Sequence, residues 1–233
     1  MNAITDDEQL NGLKTFIQKY GSAMLSGVLI ALIAFFGWEY WQKKNAATDQ
    51  IQTAKVQQFM DDAKAANGDE KAFARLATVA DKIVKDAPDS VQALQTQMVM
   101  ARLAYDKADY ATAERELKKV ENSKVKDAGL LQIVKIRLAD AQLAQKKYDE
   151  ALKTLASVTE PAFKATAEEA KGDVYVAKND TENAKKAYQA AWNVLLERKQ
   201  ERQILQIKLE SVGVLVDDPG LERPILETHV DES

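Results

Sequence analysis

The chain has 233 residues, a formal net charge of −4 and no cysteine. The missing cysteine excludes disulfides, thiolate metal sites, a cysteine nucleophile and a lipid-modified cysteine anchor. Outside an acidic C-terminus the two signs of charge are interspersed, so there is no basic footprint for nucleic acid.

Residues 1–19 form a short polar tail. Next comes the longest uncharged run of the chain, Tyr20 to Trp38. About 19 residues at ~1.5 Å each span about 28 Å, close to the ~30 Å hydrocarbon core of a bilayer. A cleaved signal peptide would have a shorter apolar region and a small-residue cleavage site. This run instead ends in Phe35, Phe36, Trp38, Tyr40 and Trp41, an aromatic interface belt, followed by Lys43 and Lys44. The pattern predicts one uncleaved transmembrane helix over 20–41, in contact with membrane lipid. Ala23, Gly27, Ala31 and Ala34 share one of its faces, a candidate contact for another membrane helix. Orientation is not encoded in the flanking charge. Lys14 and Lys19 stand on one side, Lys43, Lys44 and Lys55 on the other.

Residues 42–216 read as an all-α domain. Residues 42–67 are rich in Ala, Gln and Lys and predict a helix that Asn67-Gly68 stops. A further helical half unit spans about 69–88 and ends at Pro88. No alternating β-branched run marks a strand. One frame then repeats. Tyr110, Ala113, Leu117 and Val120 return as Tyr148, Ala151, Leu155 and Val158, then as Thr181, Ala184, Tyr188 and Ala191. The alanines lie 38 and then 33 residues apart, and each frame follows a short polar break at 106–107, 145–147 or 179–180. Upstream of each break lies another amphipathic helix with small residues. The reading is a helix–turn–helix unit used three times. A small Ala admits the neighbouring helix, and the large residue four positions on fills the groove beside it. Such a unit cannot bury both faces alone, so units stack.

The last predicted helix, about 184–216, carries Leu205, Leu209, Val212 and Val216 as one apolar stripe, which suits a cap on the stack. Residues 217–233 hold six acids against the single base Arg223, with two prolines, and predict a disordered tail.

Catalytic chemistry is not visible. The only histidine, His229, lies in that tail, and the glycines are scattered. The adjacent acids Asp61-Asp62, Glu168-Glu169 and Asp217-Asp218 do not converge on one proton or metal if helical. They read as solvated faces, as do Lys118-Lys119 and Lys146-Lys147. The chain is read as a non-enzyme with no cofactor, no metal and no small-molecule substrate.

The small/large rhythm of Gly172, Tyr175, Ala184, Tyr188 and Ala191 resembles the tetratricopeptide repeat, in degenerate form. In that repeat the first helix of each unit lines a concave surface suited to a peptide or helix. Placing the frame here puts Met98, Arg102 and Tyr105 on that surface from the first unit. The second unit contributes Ile136, Asp140 and Leu143, and the third Glu169, Asp173 and Val176.

The order of segments is similar to that of the YfgM family, ancillary subunits of the bacterial SecYEG translocon. The markers are Gly37–Gln42 (GWEYWQ), Ala141–Leu155, Ala170–Asp180 and Leu205–Val212. The resemblance covers about residues 10–215 and leaves the acidic tail outside. It implies a cytoplasmic N-terminus, a repeat domain in the periplasm, and the bacterial inner membrane as the location. It also implies partnership with the translocon and with a PpiD-like membrane-anchored chaperone, in handling secreted proteins. Two other functions fit the same architecture. One is a periplasmic scaffold for envelope or cell-wall assembly. The other is a cytoplasm-facing regulator that sequesters a soluble factor at the membrane.

Overall fold

The computed structural model describes residues 32–40, 53–66, 69–200 and 203–216. The chain divides into two units, 1–55 and 56–233.

In the first unit, residues 32–40 are helical. Phe35, Phe36, Trp38 and Tyr40 are all exposed, and the two phenylalanine rings meet edge to face at 5.7 Å. Among the described residues no helix is long and apolar enough to cross a membrane. Residues 20–31 of the uncharged run lie outside the described residues, and with them Ala23, Gly27 and Ala31 of the small-residue face. Ala34 is exposed on the helical segment.

The second unit is built of helices joined by short turns, with no strand among its described residues. It begins within α1 (53–65). The others are α2 (Glu70–Asp86), α3 (Val91–Tyr105), α4 (Tyr110–Lys118), α5 (Ala128–Ala144), α6 (Tyr148–Ala156), α7 (Lys164–Ala177), α8 (Thr181–Glu197) and α9 (Gln203–Ser211). A 3₁₀ turn, Pro161–Phe163, leads into α7. The starts are set by side chains. Asp69, Ser90, Asp109, Asp127 and Asp180 each accept a hydrogen bond from a backbone N–H in the first turn of the helix they precede.

The ends are set by one repeated turn. Ala108, Lys146, Asn179, Lys199 and Gly213 all have φ between 53° and 81°. The next residue's N–H then reaches back five positions. Asp109 bonds the Ala104 carbonyl, Lys147 that of Gln142, and Asp180 that of Tyr175. Gln200 and Val214 repeat the bond to Leu195 and Leu209. This is the Schellman geometry, which satisfies carbonyls orphaned at a helix end. Glycine fits the left-handed residue freely, whereas an L-residue pays about 1–2 kcal/mol there. The polar breaks between helices are therefore built turns that sequence alone marks only by polarity.

The paired helices meet at the repeated alanines. Ala113, Ala151 and Ala184 are buried, with Leu117, Leu155 and Tyr188 beside them. The half unit expected at 69–88 finds its partner in α1, where Phe59 and Ala63 pack on Leu76 and Ala80 of α2 and Met100 of α3. Each helix from α2 onward packs on the next, and α3 also touches α5, as α5 touches α7. The intervening α4, α6 and α8 make no comparable contact with one another. The row α3–α5–α7 is therefore the inner side of the stack.

Two expectations need correction. The single helix expected at about 184–216 is two helices, α8 and α9, separated by the turn at Lys199. No glycine or proline marks that break. The stripe survives it: Leu205, Leu209 and Val216 are buried against Ala184, Tyr188, Ala191 and Trp192, with Val212 half-buried beside them. Of the lysine runs at 118–119 and 146–147, Lys146 is exposed, but Lys118, Lys119 and Lys147 are not merely solvated. Glu114 of α4 is 4 % exposed. Lys118 stands 2.6 Å from one of its oxygens, while Lys147 (2.7 Å) and Gln145 (2.8 Å) donate to the other. Gln145 also donates to the Tyr110 carbonyl, so the cluster ties the turn before α6 to α4. Lys119 likewise joins buried Glu116 to Asp81 of α2.

Burial pushes the Glu114 carboxyl up, but the hydrogen bonds from Lys118, Lys147 and Gln145 outweigh it and hold the pKa at about 2. A carboxylate depressed on folding adds stability that is present above its unfolded pKa and lost as pH falls through the folded one. The window here is about pH 4.5 down to 2, and the contribution is about 3 kcal/mol. Glu114→Gln should therefore unfold more easily at pH 7 and lose that part of the acid dependence. Urea unfolding of both proteins between pH 7 and 2 measures it; parallel stability curves would refute the role.

Candidate functional site

The inner face of the stack is built from α3, α5, α7 and α9. On α3, Met98 is half-buried against the first core cluster. One turn on, Arg102 is exposed and stands 3.7 Å from Asp106. Tyr105 closes the helix at 41 % exposure, its ring edge to face with Tyr110 at 4.8 Å. On α5, Ile136 and Leu143 are half-buried against a cluster that includes Val174 of α7. They pack at the junction of two units. Asp140 lies between them in sequence, half-buried, with Arg137 at 3.5 Å. Burial raises its pKa; Arg137 opposes the rise and the like charge of Asp173 adds to it. Burial and the Asp140 charge together raise the Tyr105 phenol. Tyr105, Asp140 and Asp173 thus feel one another across three helices.

On α7, Glu169 and Asp173 share one ammonium. Lys208 of α9 stands 2.7 Å from Glu169 and 2.8 Å from Asp173. Burial alone would lower the Lys208 pKa, but its hydrogen bonds to these two carboxylates outweigh burial and raise it. Asp173 also accepts a 2.7 Å hydrogen bond from the Tyr188 hydroxyl. Burial and that bond raise the Tyr188 pKa, so its proton stays on at any physiological pH. Val176, one turn on, is 44 % exposed.

The nine residues expected on this surface therefore divide. Met98, Ile136 and Leu143 pack inward. Arg102, Tyr105 and Val176 are exposed, while Asp140, Glu169 and Asp173 are half-buried in the charge network. Sequence reasoning missed Lys208, because it treated α9 as a continuation of α8. The signal was present: Lys208 is the one base within the stripe from Leu205 to Val212.

Gly172 explains how Tyr188 reaches its place. A Cβ at Gly172 would lie 2.2 Å and 2.3 Å from two carbons of the Tyr188 ring. The ring of α8 lies directly on the backbone of α7, and its hydroxyl then meets Asp173 on the adjacent position.

Residues 14–214 match the family of tetratricopeptide repeat-like domains. The chain belongs to that family. The tetratricopeptide-like chain is also similar to a protein of Neisseria gonorrhoeae named ancillary SecYEG translocon subunit. The identity is 28% over 209 residues, 90% of this chain and 98% of that protein. A protein of the same name from Haemophilus influenzae is 28% identical over 189 residues, 81% of this chain and 89% of its own. The one from Escherichia coli is 23% identical over 185 residues, 79% and 86%. These are proteins of the YfgM kind, and the resemblance drawn from the order of segments holds. No solved structure matches the tetratricopeptide-like chain.

Gly172→Ala should force the Tyr188 ring off α7. Overpacking of this kind costs about 1–3 kcal/mol. Urea unfolding should show that loss, and Gly172→Ala combined with Tyr188→Leu should recover part of it. A neutral Gly172→Ala would mean that the two helices are not in this contact.

Proposed function

We propose that the chain is a non-enzymatic, membrane-anchored adaptor, an ancillary subunit of the SecYEG translocon. One transmembrane helix over 20–41 places it in the bacterial inner membrane, with residues 1–19 in the cytoplasm and the repeat domain 42–216 in the periplasm. The inner face receives a partner, a PpiD-like membrane-anchored chaperone, and the adaptor holds it near proteins leaving the channel.

The observation that carries this reading is the inner face itself. Exposed apolar groups, Tyr105 and Val176, border a network of fixed charges running from Asp140 to Lys208. A face of this kind offers apolar burial for affinity and charges that set the register of an extended or helical segment. The names of the relatives support the translocon as the setting. The uncharged run and the exposed aromatics that end it support the anchor. The Ala23, Gly27, Ala31 and Ala34 face gives that anchor a contact with a neighbouring membrane helix.

The full-length chain, solubilised from native membranes, should bring SecYEG and the chaperone with it. Val176→Glu, on the exposed inner face, should cut chaperone recovery about tenfold, equivalent to ~1.4 kcal/mol, with the unfolding midpoint unchanged. In spheroplasts, protease should digest the repeat domain. Unchanged recovery would remove the inner face from partner binding, and a protected domain would place it in the cytoplasm and favour the regulator reading.

A further inference from the structure

The end of the stack is unfinished among the described residues. Helix α9 follows α8 as α5 follows α4 and α7 follows α6, so it occupies the position of a first helix. Each earlier first helix is followed at once by a second helix. After α9 the chain instead turns at Gly213 and runs through Val214, Leu215 and Val216. On α9 itself, Ile204 is 70 % and Ile207 65 % exposed, and Leu215 just beyond is 87 % exposed. Leu205 and Leu209, on the other side of the helix, are buried.

We propose that the chain's own C-terminal segment, residues 217–233, docks on the Ile204–Ile207 face of α9. Four features of the chain select this occupant. Val216 is buried in the α8–α9 cluster, which fixes the start of the segment against α9. The segment is long enough. Nine residues of α9 extend about 14 Å, and seventeen residues cover that distance whether extended or coiled. It carries apolar groups at Leu221, Ile225, Leu226 and Val230, which can cover Ile204 and Ile207. Charge also fits. A segment returning from the end of α9 brings Asp231 and Glu232 towards exposed Lys199 and the N-terminus of α9, where helix-dipole and base both favour acids. The family match stops at residue 214, so this device belongs to the chain rather than to the shared domain.

The absence of cysteine makes the test clean. Ile207→Cys and Leu226→Cys are introduced together in the full-length chain and mildly oxidised. A disulfide needs Cα atoms within about 7 Å, so docking should give an intramolecular bond whose yield does not change on dilution. In the chain without cysteines, Ile225→Asp with Leu226→Asp should make the α9 amides exchange hydrogen about tenfold faster or more. A disulfide between two chains, with yield falling on dilution, would assign the face to a second copy and overturn the proposal. No disulfide, with unchanged exchange in α9, would overturn it as well.

Discussion

Everything in the repeat domain depends on how closely the two helices of a unit can approach. Ala113, Ala151 and Ala184 are buried where a larger side chain would hold the helices apart. Gly172 takes this to its limit, with the Tyr188 ring resting on bare backbone. Close approach within a unit leaves each pair with outer faces that only another pair can cover, and stacking follows. Stacking then aligns α3, α5 and α7 along the inner side, which is how residues tens of positions apart come to share one surface.

Polar contacts fix the register of that stack without driving it. Glu114 is buried and held by Lys118, Lys147 and Gln145, linking α4 to the turn before α6. Lys208 performs a similar task between α9 and α7. A buried carboxylate is costly unless paired, and removing one partner leaves the other stranded. These clusters therefore penalise any slip of one unit against the next. At the inner face the same charges stand beside exposed Tyr105 and Val176, so the groups that order the stack also give its surface its polarity.

Much of this was legible in the sequence, for identifiable reasons. The alanine frame repeats because every unit solves the same steric problem, and that regularity alone identified the paired helices. The break between α8 and α9 was not legible. Its left-handed residue is Lys199, and neither glycine nor proline announces it. Lys118 and Lys147 look like any solvated helix face, since their partner Glu114 becomes buried only when a second unit stacks on the first. Helical spacing placed Met98, Ile136 and Leu143 correctly on first helices. It could not tell inward packing from free surface, because that depends on how the neighbouring unit leans. The proposed membrane anchor rests on composition and length alone, and most of its run lies outside the described residues.

The central claim is that stacking turns the row of first helices into the partner surface. Photocrosslinking from single sites in the full-length chain, in native membranes, tests it most directly. A photoreactive residue at Tyr105 or Val176 should yield adducts with a secretion component. The same residue at Lys153 of α6 or Lys186 of α8, both exposed on second helices, should yield few. Adducts confined to the second-helix sites, or none from the first-helix row at normal expression, would contradict the account.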